Sequence, residues 1–333
     1  MTLEPPLIVG GLLVGIIVGL TGMGGGALMT PMLVFFAGID PLTAISSDIV
    51  VSLFMKPGAA LVHLRRGTTH VGLVAWLCVG SVPAAFLGAM LISFVPPGVG
   101  LDQLLKQLLG VALLISTGGL LVRAVLQMRN SLPLGEGPVH DVHRPELVVR
   151  PVPVVILGAV AGFMVGVTSV GAGSIIIVAL LLMYPAIKAS SLVGTDLAQA
   201  IPLVAAAAAG HLLFGSFSLV IASSLLIGAI PGAWLGAHAS SRAPGGLIRR
   251  VLMVLLLASG LKLLGVPSEW VLIAVAAVIA AGGTAWIVIR GRTVVAAVAT
   301  TATSAAASAA GPATTTPGGS GGADKPRIDA PVA

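Results

Sequence analysis

Long apolar stretches dominate the chain. They run at about 7–36, 41–62, 71–95, 101–126, 152–184, 189–213, 217–239, 247–265 and 270–290. Each is close to or above the ~20 residues a helix needs to cross a ~30 Å hydrocarbon core. Short polar or Gly/Pro-rich joints separate them, among them His63-Leu64-Arg65-Arg66-Gly67 and Pro96-Pro97-Gly98. The longest polar stretch inside the body, Gln127 to Arg150, divides it into two halves. The pattern predicts an all-α polytopic membrane protein. After Arg292 an Ala/Thr/Ser/Gly/Pro tail has little to bury and is expected to be disordered. The chain opens Met1-Thr2-Leu3-Glu4 without a basic region, so no cleavable signal peptide is expected.

The halves repeat each other. At an offset of 148, Asp48 matches Asp196, His63 matches His211, Gly67 matches Gly215, and the run Gly80 to Ala89 matches Gly228 to Ala237. With one residue of slip, Gly19-Leu-Thr21-Gly-Met-Gly24-Gly-Gly26 matches Gly166-Val-Thr168-Ser-Val-Gly171-Ala-Gly173. With 44 glycines in the chain, coincidence could align glycines, but not His, Asp and Pro at the same offset. Duplicated halves are characteristic of secondary transporters. The expected organisation is a first transmembrane repeat at 1–126, a cytoplasmic linker at 127–151 and a second repeat at 152–265. An extra transmembrane helix at 266–291 and the tail at 292–333 complete it.

Composition narrows the class further. Of 333 residues, 57% are hydrophobic and 8% charged, with mean hydropathy +1.10, which leaves too little polar surface to coat a soluble domain. Cys78 is the only cysteine, so a disulfide scaffold is excluded. The net charge of +6 does not signal nucleic acid, because the basic residues sit between apolar segments rather than on one patch. In a membrane protein they report orientation. Arg65 and Arg66, and Arg123, Arg129, Arg144 and Arg150, place the second–third loop and the central loop in the cytoplasm. If all nine segments crossed fully, Arg242, Arg249, Arg250, Arg290 and Arg292 would lie outside. If the Gly-rich segments 7–36 and 152–184 instead enter and leave on one side, each half has three full spans and the halves are inverted. Every one of these arginines then falls inside, and the tail is cytoplasmic. The alternative is a kinked full crossing with a weaker charge pattern.

Candidate chemistry lies in matched pairs. Thr21-Gly22-Met23-Gly24-Gly25-Gly26 is too Gly-rich for an uninterrupted helix, at about 1 kcal/mol per Gly relative to Ala, and Pro31 follows soon after. Thr168-Ser169-Val170-Gly171-Ala172-Gly173-Ser174 repeats the design with more hydroxyls. Broken backbone at membrane depth is tolerated inside protein or beside water, and its free N–H groups and half-helix N-termini favour an anion. Close packing by small residues is the other use of such glycines. Ser46-Ser47-Asp48 and Gly194-Thr195-Asp196 form the second pair. An intramembrane aspartate costs about 2.5–3.5 kcal/mol on insertion, so these two suggest a proton or cation relay. Interfacial helix caps are the alternative. Lys56 can pair with Asp48 or meet an anionic substrate. His63 and His211 stand at segment ends, where an interfacial position is expected ahead of proton coupling. Pro83 and Pro231 read as helix kinks with close contacts. His140 and His143 lie in a polar loop and are too few to argue a metal site, so neither metal nor cofactor is expected. No Walker-type loop, Gly-x-Ser-x-Gly elbow or His-Glu-x-x-His is present, which argues against ATP-driven transport by this chain alone and against an enzyme.

The assembled residues resemble the sulfite exporter TauE/SafE family. The resemblance rests on the broken segment Gly19 to Gly26 with Pro31, then Ser46-Ser47-Asp48, Arg65-Arg66-Gly67 and a Gly-x-x-Pro-x-x-x-x-Gly span. A second-half copy and the closing Ser259-Gly260-Leu261-Lys262-Leu263-Leu264 complete it. It covers about 7–265; the span 270–290 and the tail depart from it, as do Ser169 and Ala172, which stand where the first half has Gly22 and Gly25. The resemblance implies plasma-membrane transport of small organosulfur or related anions such as sulfite, sulfoacetate or other sulfonates. Alternating access by a secondary transporter is the expected mechanism, and an anion channel with a static filter is the alternative. The expected partners are a small anionic substrate, the bilayer and a coupling proton or cation.

Overall fold

The computed structural model of the protein describes residues 4–21, 25–65, 67, 69–96, 98–130, 149–170, 172–184, 187, 189–239 and 245–280. Among these residues every regular element is a helix. The first half comprises α1 (Pro5–Thr21), α2 (Gly26–Phe36), α3 (Pro41–Arg65), α4 (Val71–Ile92) and α5 (Val99–Asn130). The second comprises α6 (Pro151–Thr168), α7 (Ala172–Met183), α8 (Ala189–Phe214), α9 (Leu219–Ala239) and α10 (Gly245–Leu263). A further apolar helix, α11, covers Ser268–Ala280. Pro5, Pro41 and Pro151 open their helices, where the missing N–H costs nothing. Pro83 and Pro231 lie inside α4 and α9 without ending them. The Gly-rich segments 7–36 and 152–184 are each divided into two helices, as their composition predicts.

Among the described residues five helices are long and apolar enough to cross a membrane: α4, Gly100–Val125 of α5, α6, Ser191–Phe214 of α8, and α9. At 25 residues α3 is also long enough, but Ser46, Ser47, Asp48, Ser52 and Lys56 dilute its apolar character. The distribution of polarity is that of a membrane protein. Val9, Leu13, Trp76, Leu87, Ile156, Leu213 and Trp234 are exposed, while Asp48, Gln199 and His211 are fully buried.

Glycine stripes set the closest helix pairs. Gly11, Gly15 and Gly19 of α1 lie against the carbonyls of Leu225, Ala229 and Ala233 in α9; Gly228, Gly232 and Gly236 return the contact to Ile8, Leu12 and Ile16. The same arrangement joins α6 to α4, with Gly158, Gly162 and Gly166 against Leu77, Ser81 and Ala85. A Cβ at any of these glycines would collide with backbone, so only glycine permits the Cα–H···O contacts that join helices at this distance. Residue numbers rise together in both pairs, so α1 and α9 run parallel, as do α4 and α6. In contrast α3 and α8 run antiparallel: Ser46 near the start of α3 pairs with His211 near the end of α8, and Thr69 beyond α3 reaches Gly194 near the start of α8. Gly110 and Gly260 pack α5 antiparallel to α10. Finally α2 doubles back along α1, since Gly10 faces Met32 and Val18 faces Gly25.

Candidate functional site

The inner ends of the two broken segments meet. Ser169 caps α6 in the left-handed conformation (φ 62°), the only non-glycine residue with positive φ among those described. That turn aims its carbonyl and hydroxyl at Gly26, the first residue of α2, where a Cβ would overlap both. Thr168 closes the turn: its hydroxyl donates to the Met164 carbonyl (2.7 Å) and accepts from the Val170 N–H (3.2 Å).

Two buried carboxylates flank this junction. Asp48 and Asp196 are each the eighth residue of their helix, two turns in, so neither is an N-cap. Asp48 is wholly buried; its Oδ2 accepts from Thr30 Oγ1 of α2 (2.5 Å) and its Oδ1 from Ser52 Oγ one turn on (3.4 Å). The Ser169 hydroxyl also hydrogen-bonds this carboxylate. Asp196 is 7% exposed and sits at the first turn of α7, with Oδ2 2.9 Å from where a Cβ of Gly173 would stand. Its Oδ1 has no hydrogen-bond partner among the described residues. Lys56 lies within electrostatic reach of both aspartates, and Arg123 of α5 within reach of Asp196. Pairing of this kind is what makes charge tolerable at membrane depth.

The remaining expected residues divide into committed and open groups. Ser46 is committed to His211, whose Nδ1 lies 2.9 Å from the hydroxyl while Nε2 lies 2.7 Å from the Gly166 carbonyl. A carbonyl only accepts, so Nε2 carries the proton and, in the neutral ring, Nδ1 accepts from Ser46. Contrary to the interfacial position expected from sequence, His211 is fully buried and ties α8 to both α3 and α6. Thr195 is committed to the α3–α4 loop: it accepts from the His70 N–H (3.1 Å) and donates to the Ser191 carbonyl (2.8 Å). Ser47 and Ser174 have buried hydroxyls without a partner among the described residues. Gly25 precedes α2, with only ordinary contacts around its Cα. Gly22, Gly24 and Gly171 lie outside the described residues, as do the Thr21 and His63 side chains, His140, His143 and the arginines at 66, 144, 242, 290 and 292.

Sequence reasoning overlooked Thr30, Ser52 and Gln199. Ser52 is one turn from Asp48, a spacing that could have been noticed; Thr30 reaches it only because α2 folds beside α3. Gln199, fully buried, donates to Ser81 Oγ across to α4 (2.8 Å). A separate cleft of about 270 Å³ between α4, α5 and α6, lined by Leu91, Leu105, Leu108, Ile115, Phe163 and Val167 among others, is apolar and suits no anion.

The helical fold with its apolar exterior and paired intramembrane charges can be set beside known proteins. The family model described as "Sulfite exporter TauE/SafE" matches residues 7–263. The chain belongs to that family. Among relatives, it is 34% identical to "Probable membrane transporter protein YjnA" of Bacillus subtilis (strain 168), over 78% of this chain and 98% of the relative. Identity to "Probable membrane transporter protein YdhB" of the same organism is 26%, over 76% and 96%. A shorter match, 30% over 32% of this chain, is to "Sulfite exporter TauE/SafE family protein 1" of Arabidopsis thaliana, of which it covers 23%. No solved structure matches. This TauE/SafE chain is therefore a multi-pass membrane protein of a transporter family, and the family match ends before α11 begins.

Proposed function

We propose that the protein is a secondary transporter of the plasma membrane that exports small sulfur-containing or organic anions, of the sulfite or sulfonate type, by alternating access. The observation that carries this reading is the meeting of Ser169 and Gly26, which brings both helix breaks and both buried aspartates together inside the bundle. At such a junction the N-termini of α2 and α7 present free N–H groups and positive dipole ends, the arrangement that suits an anion. Thr21, Gly22, Gly24, Gly25 and Gly26 of the first half and Thr168, Ser169, Gly171, Gly173 and Ser174 of the second line the substrate path. Ser46, Ser47 and Thr195 brace it, while Asp48, Asp196 and Lys56 form the coupling set.

The halves are inverted repeats, each opening on a re-entrant helical hairpin. Equivalent helices α3 and α8 run antiparallel, as do α5 and α10, as an axis in the membrane plane requires. Exchanging the halves also maps the α1–α9 pair onto α6–α4. Placing the tail in the cytoplasm follows from the arginine pattern.

The test is flux through proteoliposomes with a panel of sulfite, sulfoacetate, sulfate and acetate. Saturable uptake of the sulfur anions with counterflow exchange is expected. Large ohmic currents in planar bilayers would replace this reading with an anion channel; no flux of any of the four would end it.

A further inference from the structure

Asp48 and Asp196 occupy the same register, yet their surroundings differ. Asp48 is held by Thr30, Ser52 and Ser169. Asp196 has an unpartnered Oδ1, and two more buried oxygens without partners, Ser174 Oγ and Ser116 Oγ, belong to helices beside it. Gly119 of α5 packs on Ser174, and Ser116 is one turn earlier on α5. In the first half Ala27 stands where Ser174 does. The charged groups facing Asp196 are Lys56 of α3, with Asp48 beyond it, and Arg123 of α5. Neither α6 nor α7 carries a titratable side chain; α4 brings Cys78 with His70 at its start, and α8 itself His211.

An ionised Asp196 thus occupies the end of α7 that an incoming anion needs. Two negative charges in that space repel, whereas a neutral carboxyl leaves the N–H groups at the start of α7 to the anion. Resting on the transport reading above, we propose that Asp196 is the coupling group: an anion seats at the α7 N-terminus only when Asp196 Oδ1 carries a proton. One proton then crosses with each anion, and the empty carrier returns with Asp196 ionised. The proton comes from water on the side where the anion binds and leaves to water on the other; no other bond changes. Export is driven by the outward gradient of the anion itself and accelerated by an acidic interior. Asp48, with its oxygens engaged, keeps its charge throughout and balances Lys56.

The test uses the full-length protein in proteoliposomes, labelled sulfoacetate outside and a pH dye trapped in the lumen. The charge of sulfoacetate is fixed between about pH 6 and 8, so protons that enter with it travel on the protein. Wild type is expected to acidify the lumen by one proton per anion, with initial rates rising up to about tenfold per unit of falling external pH. Asp196→Asn is expected to retain counterflow, lose acidification and vary less than about twofold in rate over that range, because no proton is required. Independently of any variant, sulfoacetate should bring up a protonated-carboxyl infrared band in wild type. Acidification by Asp196→Asn at the wild-type ratio would overturn the inference, as would wild-type uptake with neither acidification nor the band. Absence of saturable sulfoacetate uptake at every pH would instead overturn the transport reading beneath it.

Discussion

The carbonyl of Ser169 rests against the Cα of Gly26, joining the C-terminus of α6 to the N-terminus of α2. A left-handed turn at one end and a missing side chain at the other make that approach possible.

Gly26→Ala should therefore abolish transport while leaving insertion intact, because its Cβ would overlap the Ser169 carbonyl. Gly72→Ala in α4 is the control: its Cβ would lie 3.7 Å from Val149 Cγ2, an ordinary contact. Flux assays on the pair, with membrane content checked by immunoblot, should separate them. Equal activity in the two variants would sink the junction as a transport element.

Thr30→Val keeps the shape of the side chain but removes the donor at 2.5 Å from Asp48. A hydrogen bond to a charged group is worth about 1.5–3 kcal/mol, so a lowered midpoint of thermal unfolding in detergent is expected. Ser52→Ala, at 3.4 Å, should cost less. The opposite ranking would contradict the role given to Thr30.

His211→Ala strands the Ser46 hydroxyl and the Gly166 carbonyl, both inside the protein. The expected loss is about 1–3 kcal/mol for each group left unpaired. Since Gly166 belongs to the α4–α6 stripe, limited proteolysis should show loosening there first. An unchanged unfolding midpoint would show that water replaces both partners.

Gly15→Leu and Gly162→Leu force apart α1 from α9 and α6 from α4. Overpacking costs about 1–3 kcal/mol where neighbours can yield, and here the neighbour is backbone, so the upper end or beyond is expected. Size-exclusion profiles in detergent should show aggregated protein for both. Monodisperse wild-type-like peaks would mean that the stripes can open freely.

Reporter fusions in the 131–148 linker and after residue 292 should both read cytoplasmic, and Met1 periplasmic. A periplasmic tail with a cytoplasmic linker would refute inverted halves.

Much of this protein follows from local chemistry. A 57% hydrophobic chain with continuous apolar runs near the length of a spanning helix reads as a bundle of membrane helices, because the strands of a membrane barrel are about half as long and alternate apolar with polar residues. Gly clusters at 22–26 and 171–173 divide their segments for an equally local reason, the conformational cost of glycine in a helix. The family, too, was legible in the order of these motifs. Partnership was not. Thr195 and Ser46 look equivalent to Ser47 along the chain, yet the first two are spent on a loop and on His211, while Ser47 has no partner among the described residues. His211 reads as interfacial from its place at a segment end, and only the antiparallel packing of α3 on α8 buries it. The difference between Asp48 and Asp196 is likewise decided by what folds against them, Thr30 in one case and Gly173 in the other. Helix formation depends on neighbours three and four residues away, but the partners that settle these polar groups come from other helices, 18 residues off for Thr30 and Asp48 and 165 for Ser46 and His211, so tertiary structure decides which polar groups are spoken for and which are free to act.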